Sequence, residues 1–242
     1  VGGNGRLGTS LRIEYPLALA PSKEELNITK SYQVEDYIKK NKPDLLINLA
    51  AAVSPPLCEK DKEWAWKTNV FGTMNLVDSC KRHAPDCKFV LMSTPCVFDG
   101  NDENEKYEDY IPNPDNFYGL TKMIQELIVA RSELKHLIIR GNFVPYAPWP
   151  YKKAFIDRKS NYLWAHQIAK GIKEVIEAGK LGIIHILGEE ILSMYELAKK
   201  CPNSEDVQPY TLEEYYKENP NACELTKNMI MESTRWKKYK LE

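Results

Sequence analysis

Apolar positions along the chain follow two spacings that alternate as far as residue 187. Short continuous apolar runs, such as LLINLAA, are typical of strands that are covered on both faces of a sheet. Between these runs, apolar residues recur at helical spacing, as at Trp66, Val70 and Met74. The predicted strands are 17–20, 45–51, 88–92, 137–139 and 183–187, and the predicted helices are 34–40, 62–83, 116–131 and 165–178. This alternation predicts an α/β fold with a doubly wound parallel sheet.

The pattern changes in the last third of the chain. From residue 146 onward proline, tyrosine and charged residues are frequent, and the alternation becomes irregular. We therefore expect a sheet domain in residues 1–145 and a small, mostly helical lobe in residues 146–242, interleaved with the last sheet strands. The chain opens on a Gly-rich turn, VGGNGRLG, of the kind that normally follows a buried strand. A first strand is accordingly expected to be missing before Val1.

Composition excludes several classes of function. The 33 basic and 34 acidic side chains give a formal net charge of −1, so there is no basic field for nucleic acid. No apolar run approaches the ~18 residues that cross a bilayer, which predicts a protein without membrane partners. The six cysteines form no C-x-x-C pair, and the histidines have no metal spacing. We expect reduced thiols, no metal site and a cytoplasmic location.

The first motif with chemical meaning is Gly2-x-x-Gly5-x-x-Gly8. Glycines at this spacing allow a tight turn, and they let backbone N–H groups approach a pyrophosphate at a helix N-terminus. The pattern alone is also found in ordinary turns. Its place at the first βα turn of an α/β chain favours a dinucleotide site.

The second motif is Tyr118-x-x-x-Lys122 in NFYGLTK. One helical turn places the phenol and the ammonium on the same face, and a nearby cation is expected to lower the pKa of the tyrosine from ~10. Tyr195-x-x-x-Lys199 has the same spacing and is interpreted as an amphipathic surface. Only Tyr118 follows a Ser-Thr pair, Ser93-Thr94, at the end of a predicted strand. Hydroxyls at such strand ends face the ligand cleft of doubly wound sheets.

Six segments in this order resemble one known family. They are GGNGRLG, INLAA, NVFGT, STPCVFDG, PNPDNFYGLTK and IIRGNFV. Together they resemble the extended short-chain dehydrogenase/reductases, most of all the dTDP-4-dehydrorhamnose reductase branch. The resemblance implies a Rossmann-type sheet that binds NAD(P) and a C-terminal lobe that binds substrate. Homodimers through helices such as 116–131 are common among these proteins, so a homodimer is the expected assembly.

The resemblance also assigns roles to individual residues. The implied catalytic residues are Thr94, Tyr118 and Lys122. The implied cofactor-binding residues are Gly2, Gly5, Arg6, Leu7, Gly8, Ala50, Ala51, Asn69, Tyr118 and Lys122, with Asn69 also steadying the active-site helix. The implied substrate-binding residues are Thr94, Tyr118, Asn142 and Phe143, with the backbone of 140–142 lining the nicotinamide and the substrate.

The end of the second predicted strand bears on the choice of cofactor. NAD-binding proteins tend to carry a carboxylate there, and basic groups accept the 2′-phosphate of NADP. The segment LALAPSK offers Ser22 and Lys23 and no carboxylate, and Arg6 adds positive charge nearby. The prediction is NADPH, with NAD as the alternative.

One departure from the family pattern limits the activities that can be expected. The family motif usually reads STDYVFDG, and Pro95 and Cys96 replace its Asp-Tyr pair. Because Pro95 cannot transfer a proton, a dehydratase is set aside. The first interpretation is an NADPH-dependent reductase of a nucleotide-linked 4-keto-6-deoxy sugar. The alternatives are a sugar-nucleotide epimerase with bound NAD, and a non-catalytic regulatory subunit resembling the methionine adenosyltransferase β subunit.

Overall fold

A parallel sheet of four strands lies at the centre of the protein. The computed structural model describes residues 1–102 and 104–242. Its strands, in chain order, are β1 (Leu45–Asn48), β2 (Lys88–Ser93), β3 (His136–Arg140), β4 (Asn142–Val144), β5 (Lys153–Phe155), β6 (Lys159–Ser160), β7 (Tyr162–Trp164), β8 (Gly182–His185), β9 (Leu187–Gly188), β10 (Leu192–Ser193), β11 (Gln208–Tyr210), β12 (Asn228–Met229) and β13 (Lys238–Tyr239). The central order is β1-β2-β3-β8, and each neighbouring pair is parallel. The predicted fold class is confirmed.

Helices cover both faces of this sheet. In chain order they are α1 (Arg6–Glu14), α2 (Ser31–Asn41), α3 (Pro55–Lys60), α4 (Lys62–Trp66), α5 (Gly72–His83), α6 (Phe117–Ala130), α7 (Ala165–Glu177), α8 (Met194–Lys200) and α9 (Leu212–Glu218). A π-helical turn, Lys67–Phe71, joins α4 to α5. The predicted helix 62–83 is therefore one helical segment with a single widened turn. A short 3₁₀ turn, Pro95–Val97, follows β2.

Successive side chains of β2 enter two different cores. Phe89 and Leu91 pack with residues of α2 and α5, whereas Val90 and Met92 pack with residues of α1 and α7. Side chains of a strand point alternately to the two faces of a sheet, so a sheet with helices on both faces needs apolar residues at every position. This explains why the strand appears in the sequence as an uninterrupted apolar run.

The segment after α1 differs from the prediction. Residues 17–20 form a turn and an extended stretch instead of a strand, and the Ala18 N–H donates to the Tyr15 carbonyl at 3.0 Å. Leu17 is 97% exposed and Leu19 is 65% exposed, so neither side chain gains the burial that would hold a strand in a two-sided sheet. The predicted strand 17–20 is wrong. The segment instead packs Ala20 against Gly3, which brings the residues after it to the glycine turn.

The chain from residue 146 onward contains α7, α8 and α9 together with short strand pairs that the periodicity did not predict. β5 pairs with β11, β6 pairs with both β10 and β12, and β9 pairs with β13. β8 leaves this part of the chain to join the central sheet beside β3. All six cysteines are free thiols. In the part of the chain that the structure describes, no helix is long and apolar enough to cross a membrane.

Candidate active site

A cleft of about 710 Å³ opens beside the glycine turn at the carboxyl end of β1. Gly2 and Gly5 line one wall, Ala50 and Ala51 line another, and Lys23 lies at the far side. Ligands of doubly wound sheets bind beyond the carboxyl ends of the strands, so the cleft has the expected position for a dinucleotide.

Glycine is required at two positions of this turn. Gly2 has a φ of +78°, and a Cβ atom there would lie 2.7 Å from the Ala50 nitrogen. A Cβ atom on Gly8 would lie 2.6 Å from the Gly3 carbonyl carbon. Side chains at either position would collide with backbone, which cannot move aside. The turn therefore keeps β1, the glycine loop and α1 in direct contact.

The start of α1 fits a phosphate group. Gly5 is the N-cap and supplies no capping side chain, and the first turn of the helix contains no acidic residue. The first N–H groups of an α-helix have no partner within the helix, so they can donate to an anion. The Leu7 side chain is buried in the core and the Arg6 side chain is exposed. Any cofactor contact of Leu7 would therefore come from its backbone.

The far side of the cleft is more mixed in charge than the sequence analysis expected. Lys23 lines it, but so does Glu24, a carboxylate next in sequence to the predicted segment. Ser22 is engaged locally, because its N–H donates to Glu25 Oε2 at 2.7 Å and its hydroxyl oxygen accepts from the Glu25 N–H at 3.3 Å. Trp64 also lines the cleft and is 39% exposed. Trp64 belongs to the predicted helix 62–83, and nothing in the sequence indicated that its side chain would line a cleft.

Asn69 lies in the π-helical turn and is fully buried. Its Oδ1 accepts from the Ala52 N–H at 2.7 Å, and its Nδ2 donates to the Ala52 carbonyl at 3.1 Å and to Thr121 Oγ1 at 2.8 Å. These bonds use both amide hydrogens, so none remains for a cofactor. Asn69 ties the loop after β1 to α6, and direct cofactor binding by its side chain does not fit this geometry.

Thr94, Tyr118 and Lys122 meet at the carboxyl end of β2. Thr94 follows the strand, and the other two side chains lie one turn apart on α6. They are 8%, 9% and 3% exposed, respectively. Gly119 lets the helix approach closely, because a Cβ atom there would lie 2.8 Å from the Pro114 Cβ and would overlap the Cys96 carbonyl oxygen. The structure therefore brings the three predicted catalytic residues together.

Burial separates this tyrosine–lysine pair from the second pair at the same spacing. The Lys199 ammonium is exposed and lies 5.5 Å from the centre of the Tyr195 ring, on the surface of α8. Lys122 Nζ is enclosed and donates to the Met92 carbonyl at 2.8 Å. The interpretation of Tyr195 and Lys199 as a surface pair agrees with this placement.

The expected effect of Lys122 on the pKa of Tyr118 is wrong for the protein without ligands. Burial raises the pKa of Tyr118 above its ordinary value, Cys96 adds to the rise, and the Thr94 hydroxyl opposes it. The reason is geometric, because the Lys122 ammonium is directed to the Met92 carbonyl. Tyr118 is thus held in its protonated form, which can donate a proton.

The pKa of Lys122 is also changed by burial, which lowers it to about 8. The Glu126 carboxylate, one turn further along α6, opposes this decrease. Lys122 therefore remains largely protonated at neutral pH and loses its charge within a modestly alkaline range.

Behind these residues lies a buried ion pair that the sequence analysis missed. Arg140 and Glu126 form two parallel bonds, Nε to Oε1 at 2.9 Å and Nη2 to Oε2 at 2.7 Å. The Ser93 hydroxyl donates to the same carboxylate at 2.5 Å. Ser93 therefore faces this interior pair, whereas Thr94 faces the site. One indication of this pair was present in the sequence, because Glu126 and Arg140 each stand next to apolar residues of a predicted helix or strand.

The Pro95–Val97 turn replaces the Asp-Tyr pair of the usual motif with a compact cap. Thr94 Oγ1 accepts from the Cys96 N–H at 3.2 Å, and the same hydroxyl interacts with the Tyr118 oxygen, whose pKa it lowers. Cys96 is buried in a cluster that contains Tyr118 and Tyr162. Positions 95 and 96 carry no carboxylate, so the expectation that the protein is not a dehydratase stays a prediction.

The two predicted substrate residues of β4 differ in surroundings. Asn142 Nδ2 donates to the sulfur of Met229 at 3.5 Å. Phe143 packs against the core that includes Leu163 and Ile168. Among residues 1–102 and 104–242, no cluster of three or more His, Cys, Asp or Glu side chains could hold a metal ion.

This arrangement of glycine turn, cleft and Thr-Tyr-Lys group defines an extended short-chain dehydrogenase/reductase. The family model for the RmlD substrate binding domain matches residues 1–241, and the chain belongs to that family. A curated relative is dTDP-4-dehydrorhamnose reductase of Aggregatibacter actinomycetemcomitans, 29% identical over 225 residues, which cover 81% of this chain and 75% of the relative.

Two further comparisons bear on cofactor and function. The crystal structure of dTDP-4-dehydrorhamnose reductase from Bacillus anthracis in complex with NADP has a TM-score of 0.83 and 23% identity, and the match covers 96% of this chain and 88% of that one. Methionine adenosyltransferase 2 subunit beta of Bos taurus is 31% identical over 120 residues, 50% of this chain and 35% of that protein.

Proposed function

We propose that this protein is an NADPH-dependent reductase of a nucleotide-linked 4-keto-6-deoxy sugar. The observation that carries the proposal is the meeting of Thr94, Tyr118 and Lys122 at the carboxyl end of β2, on a chain with a dinucleotide turn. The names of the Aggregatibacter and Bacillus relatives support the substrate class.

The residues of the cleft fit a dinucleotide cofactor. The N-terminus of α1 would hold the pyrophosphate, and the wall of Ala50 and Ala51 would lie along the adenosine half. When bound, the reduced nicotinamide supplies the hydride for the keto carbon. The NADP complex of the Bacillus relative and the lysine at position 23 support NADPH over NADH.

The protein's own groups supply the proton and stabilise charge. Tyr118 is protonated and donates to the oxygen of the keto group as negative charge develops there. The Thr94 hydroxyl, which lies beside the phenol, donates to the same oxygen when substrate is bound. The resulting phenolate is stabilised by the Lys122 ammonium, which has to turn from the Met92 carbonyl toward Tyr118 for this step.

The test is the near-UV absorbance of NADPH mixed with the protein and a dTDP-4-keto-6-deoxy sugar. The proposal expects a decay that requires both protein and sugar. Tight NAD⁺ that co-purifies, together with redox-neutral turnover, would instead identify an epimerase.

A regulatory subunit is the second candidate, because half of this chain is similar to a methionine adenosyltransferase β subunit. That role predicts co-purification with a larger enzyme and no NADPH oxidation. The buried Tyr118 and Lys122 pair favours the reductase, since buried ionisable groups with shifted pKa values are typical of catalytic sites.

The proposal includes a homodimer and a cytoplasmic location. Apolar side chains are exposed at the start of α5 and on α6, among them Phe71 at 47%, Met74 at 40% and Leu127 at 58%. Burial of these side chains by a second copy would stabilise a dimer. Light scattering during size-exclusion chromatography measures the mass and tests it.

A further inference from the structure

Two side chains of α6 bind consecutive residues at the end of β2. Lys122 Nζ donates to the Met92 carbonyl at 2.8 Å, and one turn further along the helix the Glu126 carboxylate accepts from the Ser93 hydroxyl. Residues four apart share one face of a helix, so the carboxylate and the ammonium lie on the same face. Glu126 therefore faces the same strand end as the proposed chemistry.

The Glu126 carboxylate is held in a fixed position. Arg140 of β3 binds both of its oxygens, and Ser93, which stands opposite Arg140 in the sheet register, binds one of them. The Glu126 side chain is buried among these partners. Bidentate, charge-assisted bonds of this kind restrict direction as well as distance, so the negative charge stays in one place.

Lys122 has no such direct partner. None of the ion pairs among residues 1–102 and 104–242 includes its ammonium, which is enclosed and bonded to a neutral carbonyl. Burial lowers the pKa of Lys122 to about 8, and Glu126 opposes this decrease. A fixed carboxylate one turn away thus favours the charged form of Lys122 in surroundings that disfavour it.

Other polar groups reach α6 from the elements packed on it. They are Tyr118 of α6 itself, Cys58 and Glu59 of α3, Lys62 of α4, Cys96 of the turn after β2, Arg140 of β3, Asn69 of the π-helical turn and Thr73 of α5. Glu59 and Lys62 pair with each other at 2.7 Å and lie at the first residue of the helix. Burial raises the pKa of Cys58 to about 11, so this thiol is neutral. Of the two carboxylates, Glu126 is the one that acts on Lys122.

We propose that Glu126 is a positioning residue for the reaction, whose fixed carboxylate keeps the Lys122 ammonium charged beside Tyr118. The inference rests on the proposed function, because Lys122 acts in that reaction. When Lys122 turns from the Met92 carbonyl toward the phenolate, it gives up a hydrogen bond. The attraction of the carboxylate acts over a longer range than a hydrogen bond, so it persists during the turn. Glu126 lies behind the site and acts through Lys122.

The first test is an NMR titration of protein labelled with ¹³C at the ε-carbon of lysine, with Lys122→Met to identify the signal. We expect a midpoint at about 8 in the wild type and about one pH unit lower in Glu126→Gln. Glu126→Asp keeps the charge and loosens the packing, so its midpoint stays close to that of the wild type. The matched control is Glu133→Gln, which removes an exposed carboxylate beyond the end of α6 and leaves the midpoint unchanged.

A second variant keeps the test decisive if Glu126→Gln does not fold. The double variant Glu126→Leu, Arg140→Met removes the carboxylate without leaving a buried guanidinium unpaired, and its midpoint is expected below that of the wild type. An unshifted midpoint in the variants without the carboxylate overturns the inference. So does a shift in Glu126→Asp as large as that in Glu126→Gln, because packing would then explain both.

The pH profile of NADPH oxidation separates this role from a merely structural one. If the pKa of Lys122 is one unit lower in Glu126→Gln, the ratio of wild-type to variant kcat grows about fivefold between pH 6 and pH 8. A ratio that is equal at both pH values shows a structural role and overturns the inference. A shifted NMR midpoint in a protein that does not oxidise NADPH supports the effect of Glu126 on Lys122 and rejects the reductase.

Discussion

Replacement of Glu126 by glutamine tests whether the buried ion pair behind the site stabilises the fold. The carboxylate accepts two bonds from Arg140 and one from Ser93, and Arg140 is 1% exposed. Glu126→Gln keeps the shape and removes the charge, so the buried guanidinium loses its paired carboxylate and keeps the Glu108 carbonyl as an acceptor for Nη1 at 3.4 Å. Loss of one partner from such a pair costs about 3–5 kcal/mol in the free energy of unfolding.

Urea unfolding followed by circular dichroism measures this cost. For a chain of this size, 3–5 kcal/mol corresponds to a fall in Tm of about 6–20 °C. The matched control is Glu35→Gln, because Glu35 forms exposed pairs with Arg82 and His83. Exposed pairs are worth about 0–1 kcal/mol.

Two results would refute the reasoning. A loss in Glu126→Gln no larger than that in Glu35→Gln would show that water or local movement compensates Arg140. The double variant Glu126→Leu, Arg140→Met removes both charges, so it is expected to unfold at higher urea than the single variant. A double variant as unstable as the single one would mean that packing, and not the unpaired charge, determines the cost.

Four further predictions concern the residues of the proposed site. Tyr118→Phe removes the proton donor, so kcat falls by about 10²–10⁴ while the Kd of NADPH is unchanged, and full turnover would exclude Tyr118 as the acid. Turnover falls as pH rises through about 8, where Lys122 loses its proton; a flat kcat profile would contradict this. As pH rises from about 8, the pKa of Lys122 in the folded protein, to its ordinary pKa of 10.5, the free energy of unfolding increases. The reason is that Lys122 binds more protons in the unfolded chain than in the folded protein over this range. Lys23→Gln raises the Kd of NADPH more than that of NADH, and an equal change would remove Lys23 from 2′-phosphate recognition.

The sequence predicted those parts of the fold that depend on local pattern. The runs at 45–51 and 88–92 contain β1 and β2, because a strand covered on both faces must be apolar throughout. The run at 17–20 is also apolar, but no other element packs on its leucine side chains. Whether a run is packed on both faces depends on the fold of the whole chain and not on local composition. The positions of Thr94, Tyr118 and Lys122 followed from motifs in order along the sequence.

Other properties of the site depend on contacts between distant residues. The pKa of Tyr118 is set by how deeply the helix lies against the Pro95–Val97 turn, and spacing on the helix alone predicted the opposite direction. Arg140 and Glu126 are ordinary charged residues in the sequence. Their pairing becomes visible only when β3 is placed beside α6.

The π-helical turn at Lys67–Phe71 has a consequence for variation in chain length. Such a turn is an α-helix with one residue inserted, and the insertion carries Asn69 to the loop after β1. Deletion of a single residue here would restore regular helix and rotate everything before it by about 100° relative to α5. Asn69 would then lose Ala52 and Thr121 together, although every remaining side chain were kept. We therefore expect relatives with this site to keep the length of the π-helical turn, even where its residues differ. Gaps in an alignment of such relatives should lie outside residues 67–71.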